Sequence, residues 1–185
     1  MTDYQAVLDT CVLVNSCIRD ALLRQAEKPA TYLPRWSPQI IDEARRTLLG
    51  PHFGLSGTQV QHLLDEIQRA FPSACIGDVE SLVPAMANDP GDRHVLAAAV
   101  KCGAQTIVTF NLKHFSSDAL DPWSVEVQHP DQFLIHQYSL DPMIGLRKLY
   151  SQASDIRMTL PNLLEKLAVF APAFVGSVRT DLCLT

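Results

Sequence analysis

"AVLDTCVLVNS", residues 6–16, decides the fold. Val7 and Leu8 read as a short buried strand that ends on a charge, Asp9. From Val14 onward, apolar residues recur at positions 14, 17, 18, 21 and 22, which is helical spacing. Working outward, "EKPATYLP" (27–34) reads as a loop, and "WSPQIIDEARRTLLG" (36–50) as a helix capped by Ser37, with Pro38 in its first turn and Gly50 at its end. Thr58 starts another helix with the face Val60, Leu63, Leu64, Ile67 and Phe71. "SACIG" (73–77) then reads as a second buried strand. "DRHVLAAAVKCGA" (92–104) is a helix capped by Asp92 and stopped near Gly103; "QTIVTFN" (105–111) is a buried strand and "SVEVQ" (124–128) another short one.

Strands alternating with helices imply an α/β protein with a parallel sheet covered on both faces, an αβα sandwich. Beyond about residue 130 the pattern turns helical, through "QFLIHQY", "PMIGLRKLYSQA" and "LPNLLEKLAVFAPAFVGSVRT". The expected organisation is a core domain over 1–128 and a helical C-terminal extension, 129–185, packed on it. A chain of 185 residues buries a substantial core, and 47% hydrophobic content argues against disorder. The net charge of -5 excludes a generally basic nucleic-acid surface while leaving room for a local basic rim around an acidic pocket. Cys11, Cys17, Cys75, Cys102 and Cys183 form no CxxC pair, and their odd number rules out complete pairing in disulfides; they read as reduced thiols. "MTDYQ" lacks the basic start of a secretory signal, and "LAVFAPAFVG" (167–176) is too short to span a bilayer. The expected location is cytoplasmic, with no membrane association.

Parallel sheets place their working groups beyond the carboxyl ends of the strands. There the pattern collects Asp9, Asn111 after "TIVT", Asp89 and Asp92 of "DPGD", and Glu43 two turns into its helix. Singly, each has an ordinary role: Asp92 as an N-cap, Glu43 as a solvated helix residue, Asp9 and Asn111 as turn residues. Jointly they are a problem in electrostatics. Two carboxylates about 5 Å apart repel by roughly 3 kcal/mol at an effective dielectric of about 20. Oxygen ligands without paired Cys or His favour Mg²⁺ or Mn²⁺ over Zn²⁺, and such an ion suits phosphodiester hydrolysis.

The pieces "VLDTCVLVNS", "SPQIIDEARRTL", "DPGDRHVLAAAVKCGA" and "TIVTFNLKHF", taken in order, resemble the PIN-domain ribonucleases, particularly the VapC-type toxins of bacterial toxin–antitoxin pairs. The likeness covers roughly the first 125 residues, and "HPDQFLI" is similar to the segment after the nuclease core in one toxin subgroup. The resemblance implies that Asp9, Glu43 and Asp92 are acidic metal ligands, with Asp89 a supporting acid. Thr10 would hydrogen-bond to a ligand or bound water. The "ExxRxL" pattern selects Glu43 over Asp42. Asn111 and His114 stand where many relatives carry acids; Asn111 would orient water or substrate, and Asp118 is a candidate substitute acid. Arg45, Arg46, Arg93 and Lys113 are candidate phosphate contacts, with solvated helix charge as the alternative. Cys11 reads as a packed thiol, not a nucleophile.

The implied activity is an Mg²⁺- or Mn²⁺-dependent endoribonuclease, the toxin of a type II pair, cutting single-stranded RNA to leave a 3′-hydroxyl and a 5′-phosphate. The implied partners are an RNA substrate, a small antitoxin masking the site, and a second copy in a homodimer. A haloacid-dehalogenase phosphatase needs a second aspartate where this chain has Cys11, and a response-regulator receiver needs an acidic pair that is missing. The alternative is a catalytically inactive PIN-like domain that binds RNA or protein; concentrating three repelling acids argues against it.

Overall fold

The computed structural model describes residues 3–184. Four parallel strands form one sheet: β1 (Gln5–Leu8), β2 (Leu33–Arg35), β3 (Thr106–Val108) and β4 (Glu126–Gln128), in the order β2-β1-β3-β4. Val7 pairs with Arg35 on one side and Ile107 on the other, so β1 and β3 are the central strands. Residues of β1 and β3 are buried almost throughout, as parallel strands covered on both faces must be. The helices lie over the sheet, giving the αβα sandwich that strand–helix alternation implies. After β1 come α1 (Thr10–Val14) and α2 (Ser16–Ala26); after β2, α3 (Pro38–Leu48), α4 (Gly57–Ala70) and α5 (Arg93–Cys102); between β3 and β4, α6 (Ser117–Leu120). From β1 the chain goes to one neighbour by β2 and to the other by β3, so the order reverses between the two central strands. That crevice is where such sheets bind ligands.

Several local expectations change. The stretch read as a loop at 27–34 runs into β2. Pro34 obscures it, because proline has no amide to give a ladder; it is accommodated because β2 is the edge strand. "SACIG" is not a buried strand: Cys75 is exposed and makes only an isolated bridge to Trp36. The apolar spacing from Val14 covers two helices broken at Asn15, whose side chain accepts from the Ile18 amide. The helix expected from Thr58 starts one residue earlier, at Gly57, with Ser56 as cap in a reciprocal box with Gln59. Ser37 caps α3 as expected, accepting from the Ile40 amide at 3.2 Å. Gly103 ends α5 in the left-handed region (φ 67°), where glycine meets no Cβ penalty.

The C-terminal part holds α7 (Pro130–Leu140), α8 (Pro142–Asp155), α9 (Leu160–Ala168) and α10 (Pro172–Leu184). The last two occupy what reads as one helical run, parted just before Pro172. One contiguous set of buried apolar residues runs from β1 to Val178 of α10, so these helices share the core of the sheet. Phe133 of α7 stacks on Tyr4 and meets Tyr32 edge-on at 4.9 Å between ring centroids. Lys148 of α8 donates to three carbonyls at the end of α2, those of Gln25, Glu27 and Pro29. Among the described residues, no helix is long and apolar enough to cross a membrane.

Candidate active site

Asp9 follows the last residue of β1, and its amide donates to the Val108 carbonyl of β3 at 3.1 Å. The carboxylate is only 3% exposed. Asp9 occupies the cap position of α1, yet its side chain caps nothing. Its Oδ2 instead accepts from Thr109 Oγ1 at 2.6 Å and from Cys11 Sγ at 3.2 Å. Burial, and then the Asp9 charge, push the Cys11 thiol up to about 12, so it stays protonated and unreactive near neutrality. Cys11 is a packed thiol, as its sequence context suggests.

Glu43 reaches the same region from α3, which packs on α1. Its Oε2 accepts from Thr10 Oγ1 at 3.1 Å, while the neighbouring Asp42 is exposed. His94 Nε2 lies 3.1 Å from the same Glu43 oxygen, but the angle is not that of a hydrogen bond. The imidazole is 3% exposed, which leaves a buried nitrogen without a hydrogen-bond partner beside the acids.

Asp92 precedes α5 but makes no cap; its Oδ2 is 2.7 Å from His114 Nδ1. Burial raises its carboxyl above the ordinary value, the charges of Asp9 and Asp89 push the same way, and the His114 hydrogen bond opposes them. The Asp9 field felt at Asp92 places those two acids in one neighbourhood. Asp89 is exposed and accepts from the Gly91 amide at 2.9 Å.

One regularity joins the four acids. Each has one carboxylate oxygen held by the protein: Asp9 by Thr109 and Cys11, Glu43 by Thr10, Asp89 by Gly91 and Asp92 by His114. No hydrogen bond among the described residues reaches the second oxygen of any of them. A carboxylate anchored through one oxygen and free at the other is the kind of donor a hard divalent cation takes. The tightest metal-capable trio among the described residues is Asp89, Asp92 and His114, with one ligand atom from each lying within 4.8 Å of the others. Asp9, Glu43 and Asp92 do not form a trio that close.

The remaining candidates scatter around this centre. The Asn111 side chain caps nothing, and its amide donates to Thr109 Oγ1 at 3.0 Å. Arg93 is half-buried and donates to the Asn88 carbonyl, bracing the loop before Asp89. Arg46 and Lys113 are exposed, and Arg45 is held by Gln61. Asp118 is exposed on α6, outside the trio. Sequence reasoning passed over Thr109, whose signal was the same as that of Asp9: a polar residue directly after a buried strand. It also left His114 without a role.

A PIN domain family model matches residues 5–113, which span β1 through the turn after β3 and all four acids. The chain belongs to the PIN domain family. This PIN domain is 41% identical over 104 residues to "Putative ribonuclease VapC50" of Mycobacterium tuberculosis (strain ATCC 25618 / H37Rv), covering 53% of the chain. The chain spans 60% of that relative's length. No solved structure matches it.

Proposed function

We propose that this PIN domain is a metal-dependent endoribonuclease that hydrolyses RNA phosphodiester bonds and serves as the toxin of a type II toxin–antitoxin pair. The observation that carries this is that Asp9, Glu43, Asp89 and Asp92 are each anchored through one oxygen and free at the other, with Asp9 and Asp89 both close enough to Asp92 to add to the rise that burial gives its carboxyl. The name of the Mycobacterium tuberculosis relative adds the ribonuclease direction.

Asp9, Glu43 and Asp92 hold Mg²⁺ or Mn²⁺ in this reading, with Asp89 in support. The bound cation supplies Lewis-acid stabilisation of phosphate charge and makes water a better nucleophile at neutral pH. The protein's own groups do the positioning. Thr109 and Cys11 fix the Asp9 carboxylate, and Thr10 fixes Glu43, so that few rotamers are lost when ligands engage. Asn111 orients the attacking water or the substrate. Arg46 and Lys113 provide exposed charge for flanking phosphates; Arg93 does so only if it gives up its bond to the Asn88 carbonyl. Residues 1–128 form the nuclease unit and 129–185 a helical extension that buttresses it. A small antitoxin masking the acids, a homodimer and a cytoplasmic location complete the proposal.

The test is sequencing of RNA 5′ ends after brief expression of the chain, beside Asp9→Asn. New 5′ ends at a restricted set of positions, absent with the variant, are expected. Identical 5′ ends with both proteins reject the activity. Recovery of a small companion chain when the native operon is expressed is expected for the toxin assignment, and recovery of the chain alone counts against it.

A further inference from the structure

The acids have an aromatic flank that the proposed mechanism leaves unused. A cavity of about 410 Å³ lies there, with Val14, Asn15, Arg19, Leu48, Phe53 and Phe170 among its walls. Three routes tie it to the candidate site. Val14 follows Asp9 along α1, and Leu48 follows Glu43 along α3; each step is five residues, about 7.5 Å of helix rise. Phe110, next to the Thr109 that holds Asp9, lies 6.3 Å from Phe170 between ring centroids. A chain whose phosphate sits on the acids has its next unit within reach of this cavity.

The walls suit a planar occupant that carries negative charge. Phe53 and Phe170 are 39% and 38% exposed, so much of each ring is open to a ligand. Arg19 supplies the charge. Its only hydrogen bond among the described residues runs from Nη1 to the Leu13 carbonyl at 2.7 Å, and no carboxylate pairs with it. The adjacent acid, Asp20, is engaged by Arg24 at 3.2 Å. Burial lowers the Arg19 guanidinium from its ordinary value, and the Asp20 charge only partly opposes this. A half-buried cation without a carboxylate is matched best by an anion from outside. Arg19 also lines a second cavity, of about 370 Å³, that continues along α2 beside Lys166.

In a chain of net charge -5 with an acidic site, RNA is repelled unless nearby cations receive its phosphates. Its bases supply the planar apolar part, because single strands are held by stacking on aromatic side chains together with cationic contact to the backbone. A purely apolar peptide segment would fill the walls and leave Arg19 unmatched.

We infer that this cavity seats one nucleotide of the RNA beside the scissile phosphate, its base stacked on Phe53 and Phe170 and its phosphate held by Arg19. The inference rests on the RNA-cleaving reading and adds a base-binding subsite to it. The test uses the full chain in EDTA and fluorescence anisotropy with two 5′-fluorescein-labelled probes, octa-adenylate RNA and an abasic octamer of the same ribose–phosphate backbone.

Wild type is expected to bind octa-adenylate at least about fivefold more tightly than the abasic probe, the worth of one stacked base. Phe53→Ala with Phe170→Ala should bring the two affinities together, whereas Phe53→Tyr with Phe170→Tyr should keep them apart. Trp123→Ala, which removes an exposed aromatic beside Gly103 at the far end of α5, should change neither. Arg19→Gln should weaken both probes alike and reduce the slope of log affinity against log salt by about 0.7. Should Arg19→Gln not fold, the exposed phenylalanine pair carries the test alone. Equal wild-type affinities, a difference that survives loss of both phenylalanines, or an unchanged slope in folded Arg19→Gln overturns the inference. So does a companion chain from the native operon that protects residues 50–56 from deuterium exchange where octa-adenylate does not. RNA 5′ ends still produced by wild type then leave the nuclease reading intact, and their absence removes both.

Discussion

The carboxyl edge of the sheet and the helical extension treat charge in opposite ways. In the extension, several charged groups are matched. Lys148 meets three carbonyls, Arg24 of α2 bonds to Asp155 of α8, and Asp131 accepts from both the Ala173 and Phe174 amides at the start of α10. Around the sheet edge, Asp9, Glu43, Asp89 and Asp92 each keep one oxygen without a hydrogen bond among the described residues, and Asp92, raised first by burial and then by the Asp9 and Asp89 charges, holds its proton more firmly than an ordinary carboxylate. Mutual repulsion of this kind destabilises a fold unless something offsets it. The extension contributes matched contacts, and the sheet edge retains an excess of negative charge that a cation would relieve in the proposed function. The two meet at Phe110, next to Thr109, whose ring contacts His129 at 5.1 Å and Phe170 at 6.3 Å between centroids.

This contrast gives graded expectations. Asp92→Asn should lower RNA turnover by about 10²-fold or more with the far-ultraviolet circular dichroism unchanged. A wild-type rate would remove Asp92 from the chemistry. Thr109→Val keeps the shape but removes the 2.6 Å bond to Asp9; turnover should fall about tenfold, corresponding to a lost hydrogen bond to a charged group of roughly 1.5 kcal/mol, and an unchanged rate would show that Asp9 needs no anchor.

Substitutions in the extension should do the reverse, changing stability and sparing turnover per folded molecule. Gly145→Ala drives a Cβ into the buried Tyr138 ring and should cost about 1–3 kcal/mol in urea unfolding. Lys148→Met, which keeps the stem and loses the donor to three carbonyls, should cost about 1–2 kcal/mol. Unaltered midpoints in both would mean that the extension does not stabilise the core.

The smallest effect concerns pH. Because the folded-state Asp92 carboxyl is raised above the unfolded 3.8, the folded protein binds its proton more tightly than the unfolded chain does. Its stabilising share is full below the unfolded value and is lost as pH rises through the higher folded value. In metal-free buffer, the stability of Asp92→Asn relative to wild type should therefore increase from about pH 4 upward. A difference that stays flat, or falls, would mean that folding does not raise this carboxyl.

Much of the core was legible in the sequence, because buried parallel strands and capped helices each leave a local pattern. β1, β3 and α3 stand out through continuous apolar runs, Ser37 and Pro38. β2 did not, since Pro34 is a strand residue only at a sheet edge, and edge position is a tertiary fact. Cys75 misled for the opposite reason, being in an apolar stretch that the fold leaves exposed. At the site, the acids were visible as polar residues after strands and before helices. Their local roles were not: Asp92 resembles an N-cap in sequence, but folding turns it to His114 instead. Asp89–His114 proximity depends on a backbone bond between segments 25 residues apart, which no local pattern encodes.

Thermal unfolding of the metal-free protein with and without millimolar Mn²⁺ or Mg²⁺, for wild type beside Asp9→Asn, addresses the deficit of positive charge itself. An ion present at about a hundred times its dissociation constant adds about 2.7 kcal/mol, so the wild-type midpoint should rise by several degrees while that of Asp9→Asn rises little. A wild-type midpoint indifferent to both ions would contradict the claim that these carboxylates are arranged to hold a divalent cation.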